Sequence, residues 1–149
     1  MNYGQPHTNR ILVIANRTCP CPTLVNEVAR RAPADVLIVA PALNSRLRHR
    51  VSDIDGAVAG ARARLELALA AIRDCGLSAR GEIGDSNPVV AIADALADFP
   101  ASEIVIATHP PGQSNWLERG LIEKVRARFD APVTHLVSDY GLVGEPALA

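Results

Sequence analysis

Residues 103–137 read EIVIAT-HPPGQSN-WLERGLIEKVRARF-DAP-VTHLV, and the order of these pieces decides the fold. Glu103–Thr108 is a short apolar run rich in β-branched residues, the mark of a strand buried on both faces. Leu117, Leu121, Val125 and Phe129 recur at helical spacing, which predicts one amphipathic helix. Asn115 is its expected N-cap, with Glu118 three residues on as in a capping box. Asp130-Ala131-Pro132 ends the helix, and Val133–Val137 is the next strand. Two strands joined by one crossover helix lie parallel. Ligands of open α/β sheets sit outside the carboxyl ends of the strands. The loop from Thr108 to Asn115 is therefore the first place to look for a site.

Upstream the same alternation repeats. Arg10–Ala15 is an apolar first strand, followed by the loop Asn16–Pro22 and a helix from about Thr23 to Arg31. Leu24, Val25, Val28 and Ala32 are expected to face inward, with Arg30 and Arg31 complementing the negative helix end. Ala34–Ala40 is a second buried strand, and Pro41–Val51 a long basic loop. Ser52 is expected to cap the longest helix, whose stripe is Ile54, Val58, Ala61, Leu65, Leu69 and Ile72. Gly76 closes it, with Cys75 read as a small apolar filler. Ser78–Ile83 alternates like an edge strand, and Gly84–Pro88 turns into a helix capped by Asn87 with Pro88 at its first position. Val89, Ile92, Ala93 and Leu96 are its inward set, and Phe99-Pro100 its end. The pattern is a doubly wound α/β domain over residues 10–138, with an open parallel sheet of about five strands. If the sheet reverses between the first and fourth strands, the order is 3-2-1-4-5. Residues 1–9 read as a disordered tail and 139–149 as a loose one.

Composition narrows the function classes. In 149 residues, apolar types make up 48% and aromatics 3%, so the core is aliphatic. A formal net charge of −1 argues against nucleic acid as a partner. No apolar run approaches a membrane span, and Met1–Asn9 lacks the features of a signal peptide. Three cysteines are too few for a disulfide scaffold, which makes a reducing cytoplasm the expected compartment.

The chain resembles the universal stress protein family over Arg10–Val137. The resemblance rests on the strand Ile11–Ala15, on Gly84-Asp85-Ser86-Asn87-Pro88 leading into Ile92-Ala93-Asp94-Ala95, on Glu103–Ala107, and on Ala131-Pro132-Val133. In particular it is similar to divergent actinobacterial members with an Ala-Asn-Arg-Thr opening, here residues 15–18, and a P-P-G-x-S-x-W-L loop, here residues 110–117. The resemblance implies the adenine nucleotide α-hydrolase-like form of the doubly wound fold. Nucleotide-binding members carry G-x-x-G, nine residues, then G-[ST] between the last two strands, where backbone N–H groups cradle phosphates. Here Ile106–His109 holds no glycine, the final pair falls on Arg119-Gly120, and Asn16 replaces an acidic residue after the first strand.

The residues themselves agree with a weakened cradle. Pro110 and Pro111 have no backbone N–H to give a phosphate. Glu118 repels one, whereas Gly112, Gln113 and Ser114 can donate and Arg119 can pair with it. The candidate ligand-binding residues are Asn16, Arg17, Thr108, His109, Gly112, Gln113, Ser114 and Arg119. The expectation is a universal stress protein-like, non-enzymatic cytoplasmic protein with a degenerate nucleotide cleft and no cofactor, ATP or AMP being the nucleotide such a cleft would take. Two rival readings are a genuine nucleotide or phosphate-ligand binder, and a hydrolase or transferase using His109. Cys19 and Cys21 form a C-x-C in a loop, but the other ligands a zinc site needs are missing, so no metal is expected. Trp116 is read equally as a base-stacking or a packing residue. His135 alternates with Val133 and Val137 and is read as a packing or interface residue. The strand Val133–Val137, at a sheet edge, is expected to pair with its copy in a homodimer.

Overall fold

The computed structural model describes residues 9–15, 22–43, 51–108 and 120–137, of which 42–43 and 51–58 are described by backbone alone. Strands and helices alternate as β1 (Asn9–Ala15), α1 (Pro22–Ala29), β2 (Ala34–Leu43), α2 (Val51–Asp74), β3 (Ser78–Asp85), α3 (Pro88–Asp98), β4 (Glu103–Thr108), α4 (Leu121–Arg128) and β5 (Val133–Val137). Every pairing is parallel, and the sheet order is β3-β2-β1-β4-β5, the order expected from the sequence.

Side chains of a strand alternate between faces, so the central strand feeds two cores. Ile11 and Val13 pack with Leu24 and Val28 of α1 and with Leu65, Leu69 and Ile72 of α2. Leu12 and Ile14 pack with Ile92 and Ala95 of α3 and with Leu121, Ile122 and Val125 of α4. The apolar runs of β1, β2 and β4 are continuous because both faces are covered.

Several boundaries differ from the sequence reading. β1 begins at Asn9, which the sequence assigned to a tail; its N–H reaches the Pro33 carbonyl at 3.2 Å and its side chain the Arg31 carbonyl at 3.1 Å. α1 ends at Ala29, so Ala32 falls outside the helical register and is exposed. β2 continues through Pro41 to Leu43. Proline is tolerated there because β1 last pairs at Val39, and beyond it, among the described residues, β2 pairs only with β3, with a register shift between Pro41 and Leu43. β3 likewise runs to Asp85 rather than turning at Gly84. α2 starts at Val51, which places Ser52 inside the helix. The inward set of α3 is Ala91, Ile92 and Ala95, while Ala93 is half-buried. Cys75 is exposed and fills no core space. α4 starts at Leu121, after Gly120, whose φ of 70° is left-handed; the expected cap at Asn115 and Glu118 lies outside the described residues. The Asn87 cap is as expected, its side chain accepting from the Val89 N–H at 3.0 Å with Pro88 next. The basic loop 44–50 and the proposed tail 139–149 lie outside the described residues.

Two features set the packing of the ends. At Gly81, an added Cβ would lie 2.7–2.9 Å from Leu65 side-chain atoms in the core. At the amino ends of β4 and β5, Arg31 grips Glu103 through two bonds, Nε to Oε1 at 2.6 Å and Nη2 to Oε2 at 2.9 Å. Thr134 donates to Glu103 Oε2 at 2.5 Å, and Arg31 also donates to the Glu27 carbonyl. The hydrogen bond from Arg31 is the main cause that holds the Glu103 carboxyl below its ordinary value, against the opposing effect of burial.

Gly81→Ala is expected to lower stability by about 1–3 kcal/mol through overpacking against Leu65, read from the urea midpoint, with Leu65→Val recovering part of the loss. Removing the Glu103 charge by Glu103→Gln is expected to cost about 1.5–3 kcal/mol at neutral pH. Because the folded carboxyl titrates below the ordinary value of 4.5, its contribution is full above that value and is lost as pH falls through the lowered one. Urea unfolding of wild type and variant should converge in acid, and a pH-independent gap between them would refute the assignment.

Candidate functional site

The sheet changes direction at β1 and β4, which lie side by side with Ile14 opposite Ile106 and Ala15 opposite Ala107. From their carboxyl ends the chain leaves for opposite faces, toward α1 after β1 and toward α4 after β4. This is the switch point at which open α/β sheets leave a crevice.

Of the sequence candidates, Thr108 is the one within the described residues. Asn16, Arg17, His109, Gly112, Gln113, Ser114 and Arg119 lie outside them, as do Trp116, Cys19 and Cys21. Thr108 is fully buried, a polar residue in the last position of β4. Its hydroxyl lies 2.8 Å from Nε2 of His135. The β4/β5 register explains the contact: Ile106 is opposite His135 and Thr108 opposite Val137, so Thr108 and His135 are diagonal neighbours on one face.

Burial is the main cause that pulls the His135 pKa below its ordinary value; Arg126 adds to the shift and Glu123 opposes it. Both charged residues belong to α4, which packs over this face. His135 is thus a neutral imidazole at pH 7, tied to a hydroxyl that solvent does not reach. A threonine and a neutral histidine have the chemistry of a nucleophile and base, but full burial of Thr108 denies a substrate access to its hydroxyl. The pair instead fixes the end of β4 to the edge strand, directly below the point where the chain departs into the candidate loop.

The sequence reading of His135 as a packing residue missed this bond. Alternation along β5 reports its face, but only the register against β4 names its partner. At the carboxyl end of β3, on the far edge of the sheet, Asp85 Oδ1 accepts from the Asn87 N–H at 2.8 Å, so the turn into α3 is also held by its own side chains. Among the described residues, no group of three or more His, Cys, Asp or Glu is gathered as a metal site would require, and no helix is long and apolar enough to cross a membrane.

No family model matches the sequence, and no curated protein matches it. Solved structures do match. A universal stress protein from Archaeoglobus fulgidus is 21% identical, with a TM-score of 0.60 over 86% of this chain and 93% of that one. The fold is that of the universal stress proteins. The hypothetical protein MJ0577, a test case for structure-based assignment of function, superposes with a TM-score of 0.66 at 15% identity over 88% of this chain and 97% of its own. A universal stress protein in complex with cAMP gives 0.51 at 16% identity, over 89% and 99% of the two chains. The doubly wound form and strand order inferred from the sequence are those of this group.

The His135 resonances should titrate with a midpoint below 6.5, followed by NMR. Arg126→Ala should move the midpoint up and Glu123→Gln should move it down. The sign for stability follows: the unfolded chain takes up the proton first, so stability is full above the unfolded value near 6.5 and is lost as pH falls toward the folded one.

Proposed function

We propose that the chain is a divergent universal stress protein: a non-enzymatic, cytoplasmic protein that keeps the family's crevice but binds nucleotide weakly. The observation that carries this reading is the pairing of an intact switch point, β1 beside β4, with a departing segment, His109-Pro110-Pro111, that lacks glycine and two backbone donors. Thr108, at the root of that segment, has its hydroxyl engaged by His135 rather than turned to a ligand. The remaining attraction for an anion is assigned to Gly112, Gln113, Ser114 and Arg119, together with Asn16 and Arg17.

One observation favours a second reading, a genuine nucleotide binder: a universal stress protein of the same fold is in complex with cAMP. The two readings differ in affinity rather than in place. We also propose that the chain forms a homodimer through β5. The strand lies at the sheet edge, and Val137 is 43% exposed, a feature that invites pairing with a second copy.

Isothermal titration should give ATP and AMP affinities no better than high micromolar, on the order of −5 to −6 kcal/mol. Replacing Pro110 and Pro111 by glycine should tighten phosphate binding, and Arg119→Glu should abolish what remains. Nanomolar ATP binding by the wild type would establish the second reading. Analytical ultracentrifugation at micromolar concentration tests the dimer, with Thr134→Pro expected to weaken it and a wild-type monomer refuting it.

A further inference from the structure

At the opposite end of the sheet from the crevice, the amino ends of β1, β2 and β3 border a cavity of about 570 Å³. Its wall carries Arg10, Arg73, Arg80, Asp35, Asp98 and Phe99. The register brings these groups together: Arg10 is opposite Asp35, Asp35 is opposite Ser78, and Arg80 stands two residues further along β3. The last turn of α2 contributes Arg73, and the end of α3 contributes Asp98 and Phe99.

Two of the three guanidinium groups, both on exposed side chains, already have a partner. Arg73 donates through Nε at 2.9 Å and Nη2 at 2.7 Å to the Ala79 carbonyl, which leaves Nη1 outside that interaction. Arg80 lies over the buried Phe99 ring, its carbon 5.5 Å from the ring centre. A guanidinium presents its N–H donors as a planar fork, the geometry that matches a carboxylate or phosphate. Side chains already ordered lose less entropy on binding. The volume falls within the range of small-molecule sites, about 300–1,000 Å³.

Three guanidinium groups outnumber two carboxylates, so the lining is net cationic without being uniformly so. Asp35 and Asp98 repel a bare polyanion and accept hydrogen bonds from a ligand that also carries hydroxyl or amino groups. We propose that this cavity is a second ligand site, which takes a small polar metabolite bearing one anionic oxygen group, carboxylate or phosphate, together with hydrogen-bond donors. The site is separate from the crevice at β1 and β4 and does not depend on what that crevice binds.

The test is isothermal titration and thermal shift of the full chain at low ionic strength, with gluconate as the carboxylate probe and ribose 5-phosphate as the phosphate probe. At least one should bind and raise the Tm, and the one that does identifies the anionic group. Arg80→Gln should weaken that binding by at least about tenfold, as expected for loss of a charge-assisted pair. Arg62→Gln, which removes the same charge from the exposed face of α2, should leave binding unchanged. If circular dichroism finds Arg80→Gln unfolded, Ser78→Glu, which places a negative charge in the same wall, should abolish binding instead. The proposal is overturned if neither probe binds, if a folded Arg80→Gln binds as tightly as wild type, if Ser78→Glu does, or if Arg62→Gln weakens binding equally.

Discussion

β1 must be covered on every side. Ile11, Leu12, Val13 and Ile14 have no exposed surface, and burying such side chains contributes about 1.5–3 kcal/mol each. A strand buried in this way needs partners for its backbone groups on both edges, which β2 and β4 provide. It also needs apolar cover on both faces, which α1 and α2 provide on one side and α3 and α4 on the other. The sheet cannot grow outward from only one edge of β1 without leaving the other bare. The reversal of strand order at β1, and with it the crevice, follows from the central position that this apolar strand demands.

The two ends of the sheet are held by different chemistry. At the amino ends, charge-assisted bonds dominate: Arg31 joins the exit of α1 to Glu103 on β4, and Thr134 brings β5 into the same cluster. At the carboxyl ends the links include Thr108 with His135, the Asn87 cap of α3 and the Asp85 carboxylate that accepts from the Asn87 N–H. The edge strand β5 is thus secured on one face by Thr134 and on the other by His135, adjacent residues that alternation sends to opposite sides. A rigid strand end below a variable loop is the usual arrangement for a binding surface on this class of scaffold. The fold itself is shared among proteins with different tasks and does not by itself decide what this chain does.

The amino-acid sequence by itself determined the alternation of elements, the parallel sheet, the strand order and the core of β1, β2 and β4. Local patterns report these directly: continuous apolar runs mark strands covered on both faces, and the Asn87-Pro88 start of α3 is a local signal. The resemblance to universal stress proteins, carried by Gly84–Pro88, Glu103–Ala107 and Ala131–Val133, agreed with the fold found by structural comparison.

What only the tertiary structure decided were contacts between residues distant along the chain. The bond between Thr108 and His135 depends on the register of β4 against β5, which the pattern of one strand does not encode. Arg31 read as a helix-end charge until its partner, 72 positions away, was brought beside it. Pro41 reads in the sequence as the start of a loop, yet β2 continues to Leu43, and among the described residues β1 does not pair with it beyond Val39. The left-handed backbone of Gly120 was not legible in the helical stripe, since spacing registers apolar side chains and not backbone conformation. The cavity of Arg10, Arg73 and Arg80 draws on strands and helices that converge only in the folded sheet, and solvated arginines leave no periodic trace in a sequence.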